Sequence, residues 1–86
     1  MRRTHLFAAD LSEADLTTTD LSGADLRAAK LRRANLRGAK LDGAHLRGAD
    51  LKEADLSATS LVGTDLTGAD LTGANLNEAR YSGRTE

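Results

Sequence analysis

Leucine recurs at every fifth position along this chain, and the residues around each leucine follow one order of small, polar and variable side chains. Fifteen leucines run from Leu6 to Leu76 without a change in spacing, and Tyr81 takes the next place. The residue two places before the leucine is alanine in twelve of the sixteen five-residue units and threonine in the other four. The residue directly before it is polar in every unit, and is aspartate in eight. This pattern predicts one apolar interior built from leucines and small residues.

A spacing of five fits neither an α-helix nor a flat strand. Five residues of helix leave a net rotation of about 140°, so successive leucines would spread around the whole circumference. In a strand the side chains alternate, so an odd spacing would place successive leucines on opposite faces. The chain must therefore turn once in every unit. The leucine and the small residue then point inward, and the other three positions face water.

Glycine marks the predicted turn independently. All eight glycines lie two places after a central leucine or Tyr81. The third position of a type II turn needs a positive φ, which glycine adopts without steric cost. At the corners that lack glycine we expect a different turn or a mildly strained one; they are Ala8, Glu13, Thr18, Ala28, Arg33, Glu53, Ala58 and Glu78.

The number of units in one coil follows from aligning the chain at different periods. Among coils of fifteen, twenty and twenty-five residues, only twenty gives a column made wholly of glycine, namely Gly23, Gly43, Gly63 and Gly83. The same period puts Glu13, Arg33 and Glu53 in one column, where neighbours about 4.8 Å apart pair in alternation. We therefore favour four units per coil, although stacked charges alone do not separate twenty from twenty-five.

The repeat resembles that of the pentapeptide repeat family, whose units run small residue, Asp or Asn, Leu or Phe, small polar residue, then a variable residue or Gly. Units 14–18, 64–68 and 69–73 match this order at every place, and the match extends from about Thr4 to Gly83. The resemblance implies an all-β fold, a right-handed quadrilateral parallel β-helix with four coils of four units. We expect one domain over residues 1–86, with regular coils over about 4–83.

The predicted structural core consists of the central residue of each unit. On four sides of the coil these residues form four columns: Leu6, Leu26, Leu46, Leu66; Leu11, Leu31, Leu51, Leu71; Leu16, Leu36, Leu56, Leu76; and Leu21, Leu41, Leu61, Tyr81.

The two ends of such a coil present backbone groups that need a partner. We expect either end-to-end self-association or that the chain is a segment of a longer protein. The two aromatic residues, Phe7 and Tyr81, fall in the end coils, where each is expected to cover the core or to join an end contact.

Charge is unevenly spread along the chain although the net charge is only −1. Residues 1–23 carry two basic and four acidic side chains, residues 24–48 seven and two, and residues 49–86 three and seven. The basic belt in the middle is the candidate interaction surface; its residues are Arg27, Lys30, Arg32, Arg33, Arg37, Lys40, Arg47 and Lys52. Four of them, Lys30, Arg32, Arg33 and Lys52, share one predicted side with the acidic Asp10, Glu13, Asp50 and Glu53.

Catalysis, cofactors and metals are not expected. A filled interior with flat walls leaves no concave site for catalysis. The chain has no cysteine, so it has no thiolate metal site. His5 and His45 alternate with Asp25 and Asp65 in one outward column, where ligands diverge from each other instead of converging on a zinc ion. We expect solvated His–Asp pairs there, no membrane span and, by default, a cytoplasmic protein.

The sequence favours a non-catalytic rigid scaffold or protein–protein interaction module whose partner is not identified. One alternative is nucleic-acid binding through the basic belt, against which stand the acidic neighbours and the lack of interleaved aromatic residues. Another is mimicry of DNA, because some members of the resembled family inhibit DNA gyrase with a strongly acidic rod. The aspartates that would contribute are Asp10, Asp15, Asp20, Asp50, Asp55, Asp65 and Asp70, but the positive middle of the chain weakens that hypothesis.

Overall fold

The chain winds into a coil whose period is twenty residues. A computed structural model describes residues 5–80. In it, each residue directly before a central leucine forms a parallel β-bridge with the residue twenty positions further on, in twelve pairs from His5 with Asp25 to Ser60 with Arg80. These pairings give the four-unit coil that the glycine column predicts and exclude coils of three or five units. Because the chain turns in every unit, the β-structure of residues 5–80 consists of these isolated bridges, without extended strands.

We number the coils and sides as follows. Coil 1 comprises residues 5–20, coil 2 residues 21–40, coil 3 residues 41–60 and coil 4 residues 61–80. Sides 1, 2, 3 and 4 carry the leucine columns that begin at Leu6, Leu11, Leu16 and Leu21. Tyr81, Gly83 and Thr4 lie outside the described residues.

One turn is repeated at every corner. The N–H three residues after each of the fifteen leucines donates to that leucine's carbonyl, at 2.9 to 3.2 Å. The third residue of the turn has a positive φ at all fifteen corners, from 57° at Thr18 to 73° at Gly73. The eight corners without glycine therefore adopt the same turn as the glycine corners. Of the two outcomes expected from sequence, a different turn and a strained one, the different turn is wrong. They hold the left-handed conformation that glycine adopts freely and other residues adopt at a cost.

Backbone hydrogen bonds join each coil to the next at every unit. At side 1, Leu26 N–H donates to the carbonyl of His45 at 2.8 Å, and Ala28 N–H donates to that of Arg47 at 2.9 Å. In the opposite direction, His45 N–H donates to the carbonyl of Ala24 at 2.9 Å. Three bonds per unit, together with the repeated turn, hold the four sides in a fixed arrangement.

The core fills the inside of the coil. The central leucines from Leu16 to Leu66 are buried, together with the alanines from Ala24 to Ala54. Leu6, Leu11, Leu71 and Leu76, in the first and last coils, are only partly buried against this core. The small residues let opposite sides approach each other, so the leucine and alanine side chains form one continuous apolar column.

Two threonines replace alanine inside the core, and both are fully hydrogen-bonded. Thr59 donates its hydroxyl to the carbonyl of Leu36 at 2.8 Å, and Thr64 donates to that of Leu41 at 2.6 Å. A buried hydroxyl without such a partner would destabilise the fold. No helix among residues 5–80 is long and apolar enough to cross a membrane.

Candidate functional site

The outward aspartates first serve the fold. At each aspartate that directly precedes a leucine in the described coils, a carboxylate oxygen accepts the backbone N–H two residues later, at 3.0 to 3.2 Å. Asn35 and Asn75 accept the equivalent N–H with their side-chain oxygens. These side chains fix the start of the turn, as is usual for Asp and Asn. The sequence signal for this bond is an Asp or Asn directly before the leucine, and the expectations from sequence did not include it.

Hydrogen bonding lowers the pKa of several of these aspartates. The hydroxyl of Thr17, and then its N–H, lower the pKa of Asp15, and the equivalent groups of Thr67 lower that of Asp65. Arg27 lowers the pKa of Asp25 to about 2, mainly through its side-chain hydrogen bonds. These carboxylates are therefore charged at neutral pH and committed to local bonds.

One carboxylate acts across two coils. Ser60 stands where half of the units have aspartate, so its own unit lacks the acceptor described above. Asp42, at the start of coil 3, replaces it: one of its oxygens accepts both the hydroxyl of Ser60 and the N–H of Val62 in coil 4, the latter at 3.0 Å. Nothing in the five-residue pattern predicts the bond from Val62, because Asp42 and Val62 belong to different coils.

The structure does not bring the whole basic belt together. Lys30, Arg32, Arg33 and Lys52 lie on side 2, as the twenty-residue period predicts. Arg27 and Arg47 lie on side 1, Arg37 on side 3 and Lys40 on side 4. Any one partner surface therefore meets only part of the belt.

Side 2 is neutralised by its own ion pairs. Arg33 lies between two glutamates of the neighbouring coils, 3.3 Å from Glu13 and 3.1 Å from Glu53. Lys52 lies 3.9 Å from Asp50 and 3.6 Å from Asp70, and Arg32 also approaches Asp50, at 3.4 Å. These pairs are solvent-exposed and add little stability. They do occupy three of the four cations on side 2, which carries half of the belt.

Side 1 carries a groove with a volume of about 870 Å³. It is an open groove along the coil axis. Two histidines, two arginines, two aspartates and one corner glycine line it: His5 and His45, Arg27 and Arg47, Asp25 and Asp65, and Gly23. The adjacent corner is formed by Gly23, Gly43 and Gly63, which carry no side chains. Nothing lies within 4 Å of a Cβ added at Gly43, so this edge of the groove is open.

Phe7 forms part of the outer surface of side 1. It is 61% exposed, and the guanidinium carbon of Arg27 lies 5.4 Å from the centre of its ring. The expectation that Phe7 covers the core from the end is therefore wrong. Phe7 follows its leucine directly, and that position faces outward in every coil. Arg27 in turn donates two hydrogen bonds to Asp25, each at 2.8 Å.

The His–Asp column on side 1 is arranged as the period predicts. Asp25 forms bridges with both His5 and His45, and His45 also pairs with Asp65. No group of three or more His, Cys, Asp or Glu side chains in the described coils is placed to hold a metal ion. The column presents alternating titratable groups along the groove.

Comparison with known proteins identifies the repeat. The sequence profile described as pentapeptide repeats matches residues 1–23, 9–48 and 49–80, in eight copies. The chain belongs to the pentapeptide repeat family. A comparison with proteins of curated function finds no match.

Solved structures of the same family are similar to this chain. The pentapeptide repeat protein Rfr23 of the cyanobacterium Cyanothece 51142 is 31% identical with a TM-score of 0.58, over 93% of this chain and 62% of that one. A second, from Nostoc Pcc 7120, is 39% identical with a TM-score of 0.50, over 98% and 74%. The fluoroquinolone resistance protein QnrB1 has a TM-score of 0.55 at 14% identity, over 96% and 87%, so it shares the fold alone. The chain thus spans less than two thirds of the length of Rfr23.

Proposed function

We propose that this pentapeptide repeat chain is a non-catalytic, rigid interaction module that contacts another protein through its charged sides. The family resemblance also leads us to propose the right-handed form of the quadrilateral coil. The observation that carries the function is the division of the described residues into a filled apolar interior and outward charged positions. Every described Asp, Glu, Lys, Arg and His lies outside the core cluster.

Charge changes sign from coil to coil. Coil 2 carries six Lys and Arg residues against one aspartate, whereas coil 1 has four acidic residues and no Lys or Arg. Coils 3 and 4 each have two more acidic than basic residues. A rigid surface with separated charges of both signs supports recognition by electrostatic complementarity, which favours fast and specific association. Such binding weakens as salt is raised.

Affinity capture tests this proposal. The whole chain on a resin is expected to retain a protein from an extract of its source cells at low salt, and to release it as salt is raised. Arg47→Glu, on side 1, is expected to weaken retention, because Arg47 has no ion-pair partner within 4.0 Å among residues 5–80. Ser12→Ala, on an exposed position of side 2, serves as a control that leaves the charge unchanged. Retention that is insensitive to both salt and Arg47→Glu would contradict the proposal.

Self-association through the ends of the coil is a second proposal. The N–H groups of Leu51 and Leu56 donate to the coil that follows, but those of Leu71 and Leu76 have no backbone acceptor among residues 5–80. The side chains of Leu71 and Leu76 are also partly exposed. A coil from a second copy would supply acceptors and cover these leucines. Light scattering across a concentration series is expected to show mass increasing with concentration, and a constant monomer mass would refute this proposal.

Neither alternative function has a specific observation in its favour. A nucleic-acid surface needs unpaired cations on one side, but three of the four belt cations on side 2 lie in ion pairs. A DNA mimic needs continuous negative charge, which the basic coil 2 interrupts. The likeness to QnrB1, at 14% identity, supports the fold and not the function. A gel shift with duplex DNA and a gyrase supercoiling assay test the two alternatives, and both are expected to show no effect.

A further inference from the structure

We infer that copies of this chain stack head to tail, with the coil 4 end of one copy on the coil 1 end of the next, and so form open-ended fibres. This inference rests on the proposed self-association through the ends and names the orientation of the contact. It concerns sides 2 and 3, because residues 9–18 of coil 1 and residues 69–78 of coil 4 all lie within the described range.

The hydrogen bonds inside the coil show which groups a stacked copy must supply. Between coils 2 and 3 on side 2, Leu31 and Arg33 donate their N–H groups to carbonyls of coil 3, at 2.7 and 2.9 Å. In return, the N–H of Asp50 donates to the carbonyl of Ala29 at 2.9 Å. Each unit therefore faces the following coil with two N–H groups and one carbonyl, and faces the preceding coil with two carbonyls and one N–H group.

The coil 4 end presents two N–H groups and one carbonyl in each unit without a backbone partner. On side 2, the N–H groups of Leu71 and Gly73 and the carbonyl of Ala69 form no backbone hydrogen bond among residues 5–80. The equivalent groups on side 3 belong to Leu76, Glu78 and Ala74. The side chains of Leu71 and Leu76 are also only partly buried. This end therefore lacks both hydrogen-bond partners and apolar cover.

The coil 1 end presents the complementary groups. On side 2, the carbonyls of Asp10 and Ser12 and the N–H of Asp10 form no backbone hydrogen bond among residues 5–80. The equivalent groups on side 3 belong to Asp15 and Thr17. Leu11 is only partly buried, like the leucines of coil 4. If this end lies on coil 4 of another copy with the leucine columns aligned, three hydrogen bonds form on each of the two sides and the leucines of both ends are covered.

A contact between two like ends satisfies fewer of these groups. Two facing units from two coil 4 ends would bring four N–H groups against two carbonyls. With one N–H for each carbonyl, as inside the coil, two of the four N–H groups would have no partner. A buried N–H without a hydrogen-bond partner is destabilising. The head-to-tail contact avoids this mismatch, and because it joins two different surfaces it leaves a free end to which further copies add.

Charge opposes the head-to-tail contact at one position of side 2. With the columns aligned, Asp70 of one copy lies opposite Asp10 of the next, as Asp50 lies opposite Asp70 within the chain. Like charges directly opposite each other on neighbouring strands are destabilising. On side 3, Asn75 lies opposite Asp15, so that pair has no such repulsion. Stacking is therefore expected to strengthen as salt is raised, whereas the proposed binding of another protein weakens.

Cysteine cross-linking tests the orientation in the whole chain, which has no cysteine of its own. Asp15 and Asn75 are exposed and lie three coils apart on side 3, about 14 Å within one copy, which is too far for a disulfide. At the head-to-tail junction the two positions are about 4.8 Å apart, within disulfide range. A mixture of Asp15→Cys and Asn75→Cys chains is expected to give mainly mixed dimers under mild oxidation. The double variant is expected to give a ladder of longer multimers.

Sedimentation equilibrium gives a second measurement that needs no cysteine. The average mass of the unchanged chain is expected to rise beyond that of a dimer as concentration and salt are raised. Asp10→Asn keeps a side-chain oxygen for the N–H of Ser12 and removes the repulsion with Asp70. We expect it to strengthen association by about twofold to fivefold. The matched control Asp15→Asn, which lies opposite Asn75, is expected to leave association unchanged.

The contrary outcomes are distinguishable from each other. Preferential dimers of one single-cysteine variant with itself, or a mass that stops at a dimer, would refute the head-to-tail orientation while self-association stands. Equal strengthening by Asp10→Asn and Asp15→Asn would show general charge repulsion and refute the aligned columns. A constant monomer mass would refute the inference together with self-association. The binding of another protein, tested by affinity capture, would stand in each case.

Discussion

The corner residues allow a sharp test of the turn, because glycine and non-glycine corners share one backbone conformation. Gly43 has a φ of 68°, and a Cβ added there meets nothing within 4 Å. Gly43→Ala therefore introduces backbone strain without a steric clash. A left-handed backbone conformation destabilises an L-residue by about 1–2 kcal/mol. Alanine in place of glycine also restricts the unfolded chain, which stabilises the folded state by about 0.4–1 kcal/mol. We expect a net loss of about 1 kcal/mol in the free energy of unfolding.

The reverse change should have the opposite sign. Ala28 has a φ of 60° at the neighbouring corner of coil 2 and is exposed. Ala28→Gly is therefore expected to stabilise the chain by about 1 kcal/mol, a rise in the melting temperature of about 4–8 °C for a domain of this size. Circular dichroism during thermal and urea unfolding measures both variants. If glycine acted only through the freedom of the unfolded chain, Ala28→Gly would destabilise, and that result would refute the assignment of the turn.

Three further predictions concern acid stability and the core. Asp25, whose pKa falls from 3.8 to about 2, contributes stability that is complete above a pH of about 4 and is lost as the pH falls toward 2, so Asp25→Asn should flatten this part of the acid-unfolding curve. Leu41→Ala, at a fully buried site, should lower the free energy of unfolding by about 2–5 kcal/mol in urea titrations, and Leu6→Ala, which is partly exposed, should lower it less. Ala34→Leu should overpack the closed interior and cost about 1–3 kcal/mol, so an unchanged urea midpoint would contradict the packing described for Ala34.

The coil was predictable because its constraints repeat. The leucine, the small residue and the corner have the same positions in every unit, so every unit predicts the same local geometry. The period of five and the column of Gly23, Gly43 and Gly63 then determine the twenty-residue register. The conformation of corners such as Glu13 and Arg33 was not predictable from these residues alone. Their left-handed backbone is imposed by the turn hydrogen bond and by the bonds to the adjoining coils.

The surface was predictable only in part. The period places Lys30, Arg32 and Arg33 on one side correctly, since position in the repeat determines the side. It does not specify which way a long side chain bends. Arg27 turns back onto Asp25 and over Phe7, whereas Arg47, in the same column, forms no close ion pair among residues 5–80. The groove depends on these side-chain orientations, so the sequence alone did not reveal it.

The arrangement of twenty-residue coils is the central claim, and disulfide trapping tests it most directly. The chain has no cysteine, so pairs can be introduced without background. Asn35 and Asp55 form a parallel bridge, which places their Cα atoms about 4.8 Å apart and within the range of a disulfide. Cysteines at 35 and 55 are expected to cross-link rapidly under mild oxidation, while pairs at 35 and 50 and at 35 and 60 are not. Preferential cross-linking of either control pair would contradict the coil.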